Sequence, residues 1–423
     1  MFERGIAVIG LGYIGLPTGA ALAGHGVRVK GVDVSRRIVD AVNAGRAPVV
    51  EPDLQEAITS AHDSGLLDAS TTVPEADAYL IAVPTPFNDD YSADLSYVQA
   101  AAESIAPRLA GGEVVILEST SPPGTTRKIS EWIGALRPDL AMPHQSDAPD
   151  VFIAHCPERV LPGRIMTELV ENNRIVGGLS SECAAKAAEV YKIFCRGEIA
   201  LTDAESAEMS KLAENTFRDV NIALANELAT ICEGLGLDVW EVIRLANKHP
   251  RVNILRPGPG VGGHCIAVDP WFIVAADPIN SRLIRAAREI NDARPGAVID
   301  QVAAVTPGGG TVAALGLAFK ANVDDLRGSP AITVTKGLAE KLTDARILAA
   351  EPYVDTLPAS LASLPNVELV PFVEAIAAAD TVVLLVDHEK FRAIDPAALA
   401  GKAVVDTRGF FPSESAPLGK AQA

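Results

Sequence analysis

No uninterrupted apolar run in this chain is long enough to cross a bilayer, which takes about 20 residues. The first apolar run, Gly5 to Leu16, is broken by glycines, is followed by Pro17 and lacks a signal-peptide cleavage pattern. A cytoplasmic protein with no membrane partner is expected. A basic surplus is missing too: 36 Lys and Arg stand against 54 Asp and Glu, a net charge of -18. Nucleic acid and anionic membranes both need basic surface, so neither is expected as a main partner. A small anionic ligand stays open, because a few local cations can outweigh the global sign. Paired cysteines are also absent. Cys156, Cys183, Cys195, Cys232 and Cys265 are odd in number and none has CxxC spacing. Neither a disulfide framework nor a metal site is expected, and most of the thiols should pack in cores as small hydrophobes.

What is present reads as a soluble α/β protein. The 423 residues allow two to three domains, at roughly 150 residues each. GIAVIG (Gly5 to Gly10), RVKGVDV (Arg28 to Val34), AYLIAVPTP (Ala78 to Pro86), EVVILEST (Glu113 to Thr120) and VFIAHCPE (Val151 to Glu158) read as strands. Helical patterns such as Leu95 to Leu109 separate several of them, which predicts a mostly parallel, doubly wound sheet. From Ala204 to Leu235 no Gly or Pro occurs before Gly234. The three- and four-residue apolar spacing there predicts one helix of about 30 residues and about 45 Å. Such a helix would bridge two lobes and offer a dimer interface. The Gly- and Pro-rich loop RPGPGVGGHC (Arg256 to Cys265) follows, then a helix over Ser281 to Asp292.

TPGGG (Thr306 to Gly310) marks the expected boundary of a last lobe. In it TVAALGLAF (Thr311 to Phe319), ARILAAEP (Ala345 to Pro352), DTVVLLVD (Asp380 to Asp387) and AVVDTRG (Ala403 to Gly409) read as strands. Ser329 and Pro330 read as the N-cap and first position of a helix. The last residues are expected to fray. The fold class predicted is thus α/β: two Rossmann-like doubly wound lobes, 1–200 and 306–423, joined by a helical centre, 201–305.

Gly10-Leu11-Gly12-Tyr13-Ile14-Gly15 is a GxGxxG run directly after a strand and before helical sequence. The glycines allow a tight turn and close approach to a pyrophosphate, and the helix N-terminus offers N–H groups to it. Asp33 ends the second strand, where a carboxylate holds a ribose diol and favours NAD over NADP. Arg36 and Arg37 could instead face a phosphate. The bland alternative is an ordinary strand–helix turn.

Cys265 lies in the glycine-rich GVGGHCIAVDP, where backbone and substrate can approach closely. Lys211 and Asn215 are four apart and share a helix face. Lys211 could stabilise an oxyanion, and Asn215 could orient a hydroxyl or water. Asp269 follows Cys265 by four residues. Glu158, in CPERVLPG, sits just past a strand end, where open parallel sheets place ligands. Taken singly, Cys265 reads more readily as a buried inert thiol and the others as solvated polar residues.

GLGYIGLP, AVPTP, ESTSPPGTT, PERVLPGR, KLAENTFRDVNIALANE, GPGVGGHCIAVDPWF and GLAFKANVDDLRGSP resemble, in order, the motifs of the UDP-glucose/UDP-mannuronate dehydrogenase family. The match runs from residue 5 to about 330, and VVDTRG continues it. The resemblance implies two successive hydride transfers from a sugar C6 to NAD, without release of the aldehyde. Cys265 would form a thiohemiacetal and then a thioester. Lys211, Asn215 and Asp269 would surround the reacting oxygen, Glu158 would assist hydrolysis, and Thr120 would lie alongside.

By the same resemblance Tyr13, Ile14, Thr85, Thr125 and Arg327 join Gly10, Gly12, Gly15, Asp33 and Arg37 around NAD. Arg159, Val160, Lys211, Asn215, Arg218 and Gly262 would line the path of the UDP-sugar, with Phe319, Lys320 and Arg408 from the last lobe. A homodimer is implied, in which Arg251 and His249 reach the partner's substrate. RLANKHPRVNILRPGPGVGGHCIAVDPWFIV resembles the branch acting on UDP-N-acetylmannosamine, whereas relatives acting on UDP-glucose have an FGGSC-type loop. UDP-N-acetylglucosamine or UDP-glucose are the alternative substrates. A one-step β-hydroxyacid dehydrogenase would need neither the cysteine nor the last lobe, and a non-catalytic binding protein would need none of these side chains.

Overall fold

The computed structural model describes residues 2–49, 51–88, 90–161, 163–263 and 265–411. His264 and the C-terminal residues expected to fray lie outside them. The chain forms two compact units: Met1–Glu214 with Ala275–Asp277, and Asn215–Val274 with Pro278–Ala423. No helix among the described residues is long and apolar enough to cross a membrane.

The first unit holds eight strands: β1 (Ile6–Ile9), β2 (Val29–Val32), β3 (Leu67–Ser70), β4 (Ala78–Ile81), β5 (Val114–Leu117), β6 (Phe152–His155), β7 (Arg174–Gly178) and β8 (Ile199–Asp203). Their order in the sheet is β3-β2-β1-β4-β5-β6-β7-β8. All neighbours are parallel except β6 and β7. Successive side chains of a strand point to opposite faces, and the sheet is apolar on both. Ile6, Val8, Leu80 and Ile116 enter one core, while Ala7, Ile9, Tyr79 and Val115 enter the other. The strand order reverses at β1 and β4, so the crevice at their C-terminal ends is the place for a ligand.

Three strands of this sheet were not expected from the sequence, for identifiable reasons. β3 and β8 are short edges with few buried apolar residues. β7 ends in Gly177 and Gly178, which normally signal a break. Here a Cβ on Gly177 would lie 2.3 Å from the Asp203 carbonyl, and one on Gly178 would lie 2.3 Å from the Ala184 nitrogen. The predicted strand Ala78 to Pro86 stops at Ile81, because Pro84 and Pro86 cannot donate to a ladder.

The helix Ala204–Leu235 is 32 residues long and runs from the first unit into the second. The second unit contains the helix Arg282–Val305, which continues beyond the expected end at Asp292 and carries Pro295 inside it. Proline removes one helical hydrogen bond; burial of Val298 and Val302 on the helix's far half carries it onward. Five parallel strands follow: β9 (Thr311–Leu315), β10 (Arg346–Ala350), β11 (Val367–Leu369), β12 (Thr381–Leu384) and β13 (Ala403–Asp406), in the order β11-β10-β9-β12-β13. Ser329 caps the helix Pro330–Lys341, its hydroxyl accepting from the Ala331 N–H.

This second sheet repeats the first in detail. Gly10 and Gly316 both follow a first strand, with φ of 94° and 93°, and each donates at 2.8 Å to the last carbonyl of the second strand. Asp33 accepts from the N–H groups of Leu11 at 3.0 Å and Ser35 at 2.8 Å. Glu351 accepts in the same way from Leu317 at 2.7 Å and Tyr353 at 3.1 Å.

Candidate active site

The loop after β1 has the shape a pyrophosphate needs. A Cβ on Gly10 would lie 2.4 Å from the Ala82 carbonyl, and one on Gly15 would lie 1.9 Å from the Gly10 carbonyl, so both positions must be glycine. Gly12 differs, since a Cβ there would enter open space. Its absence leaves room for a ligand rather than for the protein. No side chain caps the following helix, Gly15–Gly24, so its positive end is available to an anion. Tyr13 is partly exposed and Ile14 half-buried beside this loop. The half-buried Asp33 closes the far side, and Arg37 is exposed on the next helix. This loop and helix end fit the pyrophosphate of a dinucleotide.

The loops after β4, β5 and β6 extend the crevice. The Thr85 hydroxyl donates to the Thr120 carbonyl at 2.6 Å, which joins two of the expected residues. Thr125 is buried, and its hydroxyl donates to the Pro122 carbonyl at 2.7 Å. The Glu158 carboxylate accepts from the Arg159 N–H at 2.6 Å and pairs with Arg174 at 3.3 Å. Arg159 pairs in turn with Glu214 at 2.6 Å. Val160 is half-buried against the sheet's core.

Behind Glu158 lies a second acid. Glu118 is buried and accepts from the Tyr191 hydroxyl at 2.8 Å. Burial, reinforced by the neighbouring Glu158, pushes its carboxyl up to about 7. Neither Glu118 nor Arg174 was expected; Glu118 heads the quoted ESTSPPGTT motif, but nothing in the sequence says that it is buried.

Burial separates the five thiols. Cys156, Cys183 and Cys232 are buried, Cys195 is intermediate, and Cys265 is exposed. Burial pushes the Cys156 thiol up to about 12, as befits an inert group. A reactive cysteine needs access, and Cys265 has it. The Cys265 carbonyl accepts from the N–H groups of Val268 at 3.0 Å and Asp269 at 2.8 Å, so the cysteine stands one turn ahead of the helix Asp269–Ala276. The side chain of Asp269, 2% exposed, accepts from the Asn215 amide at 2.5 Å. Cys265, Asp269 and Asn215 thus come together within the second unit. Lys211 stands one turn before Asn215 on the long helix and is half-buried.

The glycine loop ahead of Cys265 is pressed onto its surroundings. A Cβ on Gly262 would lie 2.5 Å from the Gly328 carbonyl, and one on Gly263 would lie 3.2 Å from the Phe319 ring. Phe319 therefore packs under the cysteine loop, with the Lys320 ammonium 5.9 Å from its ring centre. Arg408 pairs with Asp387 at 3.0 Å and approaches Gly258, where a Cβ would lie 2.7 Å from its guanidinium. Arg327 is exposed and pairs with Asp325 at 2.7 Å. A cavity of about 560 Å³ opens beside it, lined by Val261, Asn291, Ser329 and Pro358 among others. Arg218 is exposed on the long helix, and His249 and Arg251 are exposed in the turn after the helix Val239–Ala246. No cluster suited to a metal occurs among the described residues.

Three models of one family cover this architecture: the NAD binding domain matches residues 4–195, the central domain 205–293 and the UDP binding domain 313–413. The chain belongs to the UDP-glucose/GDP-mannose dehydrogenase family. The dehydrogenase is 53% identical over 411 residues to the NDP-N-acetyl-D-galactosaminuronic acid dehydrogenase of Ralstonia nicotianae, covering 96% of each chain. It is also 53% identical over 415 residues to the UDP-N-acetyl-D-mannosamine dehydrogenase of Escherichia coli K12, covering 96% of this chain and 98% of that one. Among solved structures, the UDP-D-ManNAc dehydrogenase of Pyrococcus horikoshii superposes with a TM-score of 0.85 at 36% identity, covering 98% and 97% of the two chains. This dehydrogenase is an NAD-dependent oxidoreductase of nucleotide sugars.

Proposed function

We propose that the chain oxidises UDP-N-acetyl-D-mannosamine at C6 to UDP-N-acetyl-D-mannosaminuronate, in two oxidations through Cys265. The observation that carries this reading is the exposed thiol one turn before Asp269, itself bonded to Asn215. The glycine loop gives a sugar access to that thiol. NAD, when bound, supplies the hydride acceptor. The C6 alcohol first loses a hydride and a proton. The Cys265 thiolate then adds to the aldehyde carbon, and the resulting oxyanion takes up a proton. This thiohemiacetal carbon still carries a hydrogen that can leave as hydride, which a bare aldehyde yields poorly. Its loss to NAD, together with loss of the hydroxyl proton, gives the thioester, and water attacks the carbonyl as the thiolate departs, leaving the carboxylate.

Lys211 would stabilise the oxyanions, Asn215 and Asp269 would hold the C6 oxygen or a water, and Glu158 would take the proton of the attacking water, with Thr120 beside it. Thr85, Thr125, Arg37 and Arg327 would complete the NAD contacts. Arg159, Val160, Arg218, Gly262, Phe319, Lys320 and Arg408 would hold the UDP-sugar. Residues 1–200 would bind NAD, 201–305 would supply the lysine and cysteine, and 306–423 would bind the nucleotide sugar.

The experiment is NADH stoichiometry across UDP-N-acetylmannosamine, UDP-N-acetylglucosamine, UDP-N-acetylgalactosamine and UDP-glucose. Two NADH per UDP-N-acetylmannosamine are expected. One NADH per sugar would sink the two-oxidation reading, and turnover of another sugar alone would sink the mannosamine assignment. The galactosamine series is the second reading, supported by the equal identity to the Ralstonia relative.

We also propose a cytoplasmic homodimer. An exposed catalytic thiol fits a reducing compartment. Phe217, Asn221, Leu224, Leu228, Ile231 and Leu235 repeat at alternating spacings of four and three along the long helix, and Phe217 and Leu235 are 70% and 67% exposed. That 3.5-residue repeat is the seam of a helix paired with another helix. His249 and Arg251 would reach the partner's substrate. Glu in place of both Phe217 and Ile231 is expected to yield monomers in sedimentation; an unchanged mass would refute this seam.

A further inference from the structure

The helix Thr125–Leu136 starts without a local side-chain cap. Its first turn is satisfied from far along the chain instead. Glu208, on the long helix, accepts from the Gly124 N–H at 2.6 Å, the Thr126 N–H at 2.7 Å and the Thr126 hydroxyl at 2.6 Å. All of these residues lie within the first unit, and Glu208 is fully buried. Gly124 has a φ of 91°, so a glycine is required for the chain to present its N–H to the acid.

Two sets of expected site residues hang on this contact. The loop that Glu208 grips, Ser119 to Thr125, carries Thr120 and Thr125. On the long helix, Lys211 follows Glu208 by three residues, which places it on the same face one turn on. We infer that Glu208 is a positioning residue, whose carboxylate clamps the long helix to the loop after β5 and fixes the register between Lys211 and Thr120. This inference rests on the reading of Lys211 and Thr120 as site residues.

The clamp requires the ionised acid. Three donors converge on its two oxygens, and the positive end of a helix favours negative charge there. Protonation removes the negative charge that all three donors share, and a proton on the oxygen that takes both Thr126 bonds would displace one of them. Burial holds the Glu208 carboxyl up to about 7, with the three hydrogen bonds opposing. The nearby charges do not replace it. Glu205, one turn earlier on the same helix, adds slight repulsion and is itself paired with Arg127 of the capped helix at 3.2 Å. On the sheet side, Gly177 of β7 lies against Ala207 and pairs with His155 of β6. That buried imidazole is held down to about 3 by desolvation and stays neutral. The clamp therefore holds above neutral pH and loosens as pH falls through about 7.

The test uses the full-length protein with NAD and UDP-N-acetylmannosamine, or whichever sugar the panel shows to be turned over. Glu208→Gln presents an NH2 to one of the three donors. It should lower kcat by about 10- to 100-fold, the range for a misplaced reacting group, leave KM for NAD within about threefold, and abolish any activity limb near neutral pH. Thr126→Val removes one donor and should lower kcat in the same direction by less. In the wild-type protein, amide exchange over residues 124–128, corrected for intrinsic rates, should speed up severalfold between pH 8 and pH 6. Lys211→Ala is measured alongside. If Lys211→Ala keeps the wild-type rate, the site reading itself fails. If Lys211→Ala is inactive while Glu208→Gln and Thr126→Val keep wild-type kcat and pH profile, the positioning role is refuted. Should Glu208→Gln not fold, Thr126→Val and the wild-type exchange still decide: unchanged kcat with pH-independent protection overturns the inference.

Discussion

Cys265→Ser is expected to abolish complete oxidation, with kcat for two-NADH turnover falling by at least about 10³-fold, the range in which loss of a covalent nucleophile falls. The first oxidation does not need the sulfur, so a slow release of at most one NADH per sugar should survive. A serine hydroxyl is a far weaker nucleophile than a thiolate at neutral pH, and the aldehyde has nothing to capture it. The fold should not suffer, because Cys265 is exposed and packs in no core. Single-turnover absorbance at 340 nm and intact-mass detection of the sugar adduct read this directly. Full turnover in the serine variant would eliminate the covalent route.

The second large effect is on stability. Arg288, 1% exposed, pairs with the fully buried Asp219 at 2.5 Å and also with Asp292. Arg288→Met should destabilise the protein by about 3–5 kcal/mol, because it leaves a buried carboxylate without its counter-charge. Asp219 already lies above the ordinary carboxylate range through burial, with Arg288 pulling it down. Without Arg288 it rises further. A folded-state pKa raised above the unfolded one means that the folded variant binds the extra proton. The loss should therefore grow as pH rises above the unfolded Asp value of about 4. Urea denaturation at pH 5 and pH 8 measures both parts, and an equal loss at the two values would contradict the account.

The damage should reach the cysteine loop. Asn291 donates to Asp219 at 2.8 Å, Asn226 donates to Asn291 at 2.9 Å, and the Gly258 N–H donates to Asn226 at 2.9 Å. Gly258 belongs to the same glycine-rich segment as Cys265.

Much of the fold was legible because its elements are strongly patterned. The long helix runs from Ala204 to Leu235 as read, since no breaker interrupts its apolar spacing. GxGxxG and Asp33 were legible because their backbone demands are local. The edges β3 and β8 were not, having too little apolar sequence to mark them. The resemblance implied that Asn215 and Asp269 serve one site, but their hydrogen bond was not legible, as it joins residues 54 apart in sequence. Glu208 escaped notice for a related reason. A mid-helix glutamate reads as solvated surface, and its partners lie more than 80 positions earlier. Arg288 was hidden inside a helix that was read as ending soon after it.

The repeated acid at the end of the second strand has one more consequence. In the second sheet Glu351 is already filled from within. The Asn322 N–H donates to His388 Nδ1 at 3.0 Å, so the opposite nitrogen, Nε2, carries the hydrogen and donates to Glu351 at 2.9 Å. Ala318 follows Gly316 by two residues, as Gly12 follows Gly10, and is 1% exposed. Glu351 is 7% exposed whereas Asp33 is half-buried, so the acid of the first copy is the more accessible to a ribose. If two hydrides leave one sugar for NAD at the first sheet, as proposed, they must leave by turns. The proposed covalent bond to Cys265 would then work as a tether, keeping the half-oxidised sugar in place while the reduced cofactor departs and an oxidised one arrives.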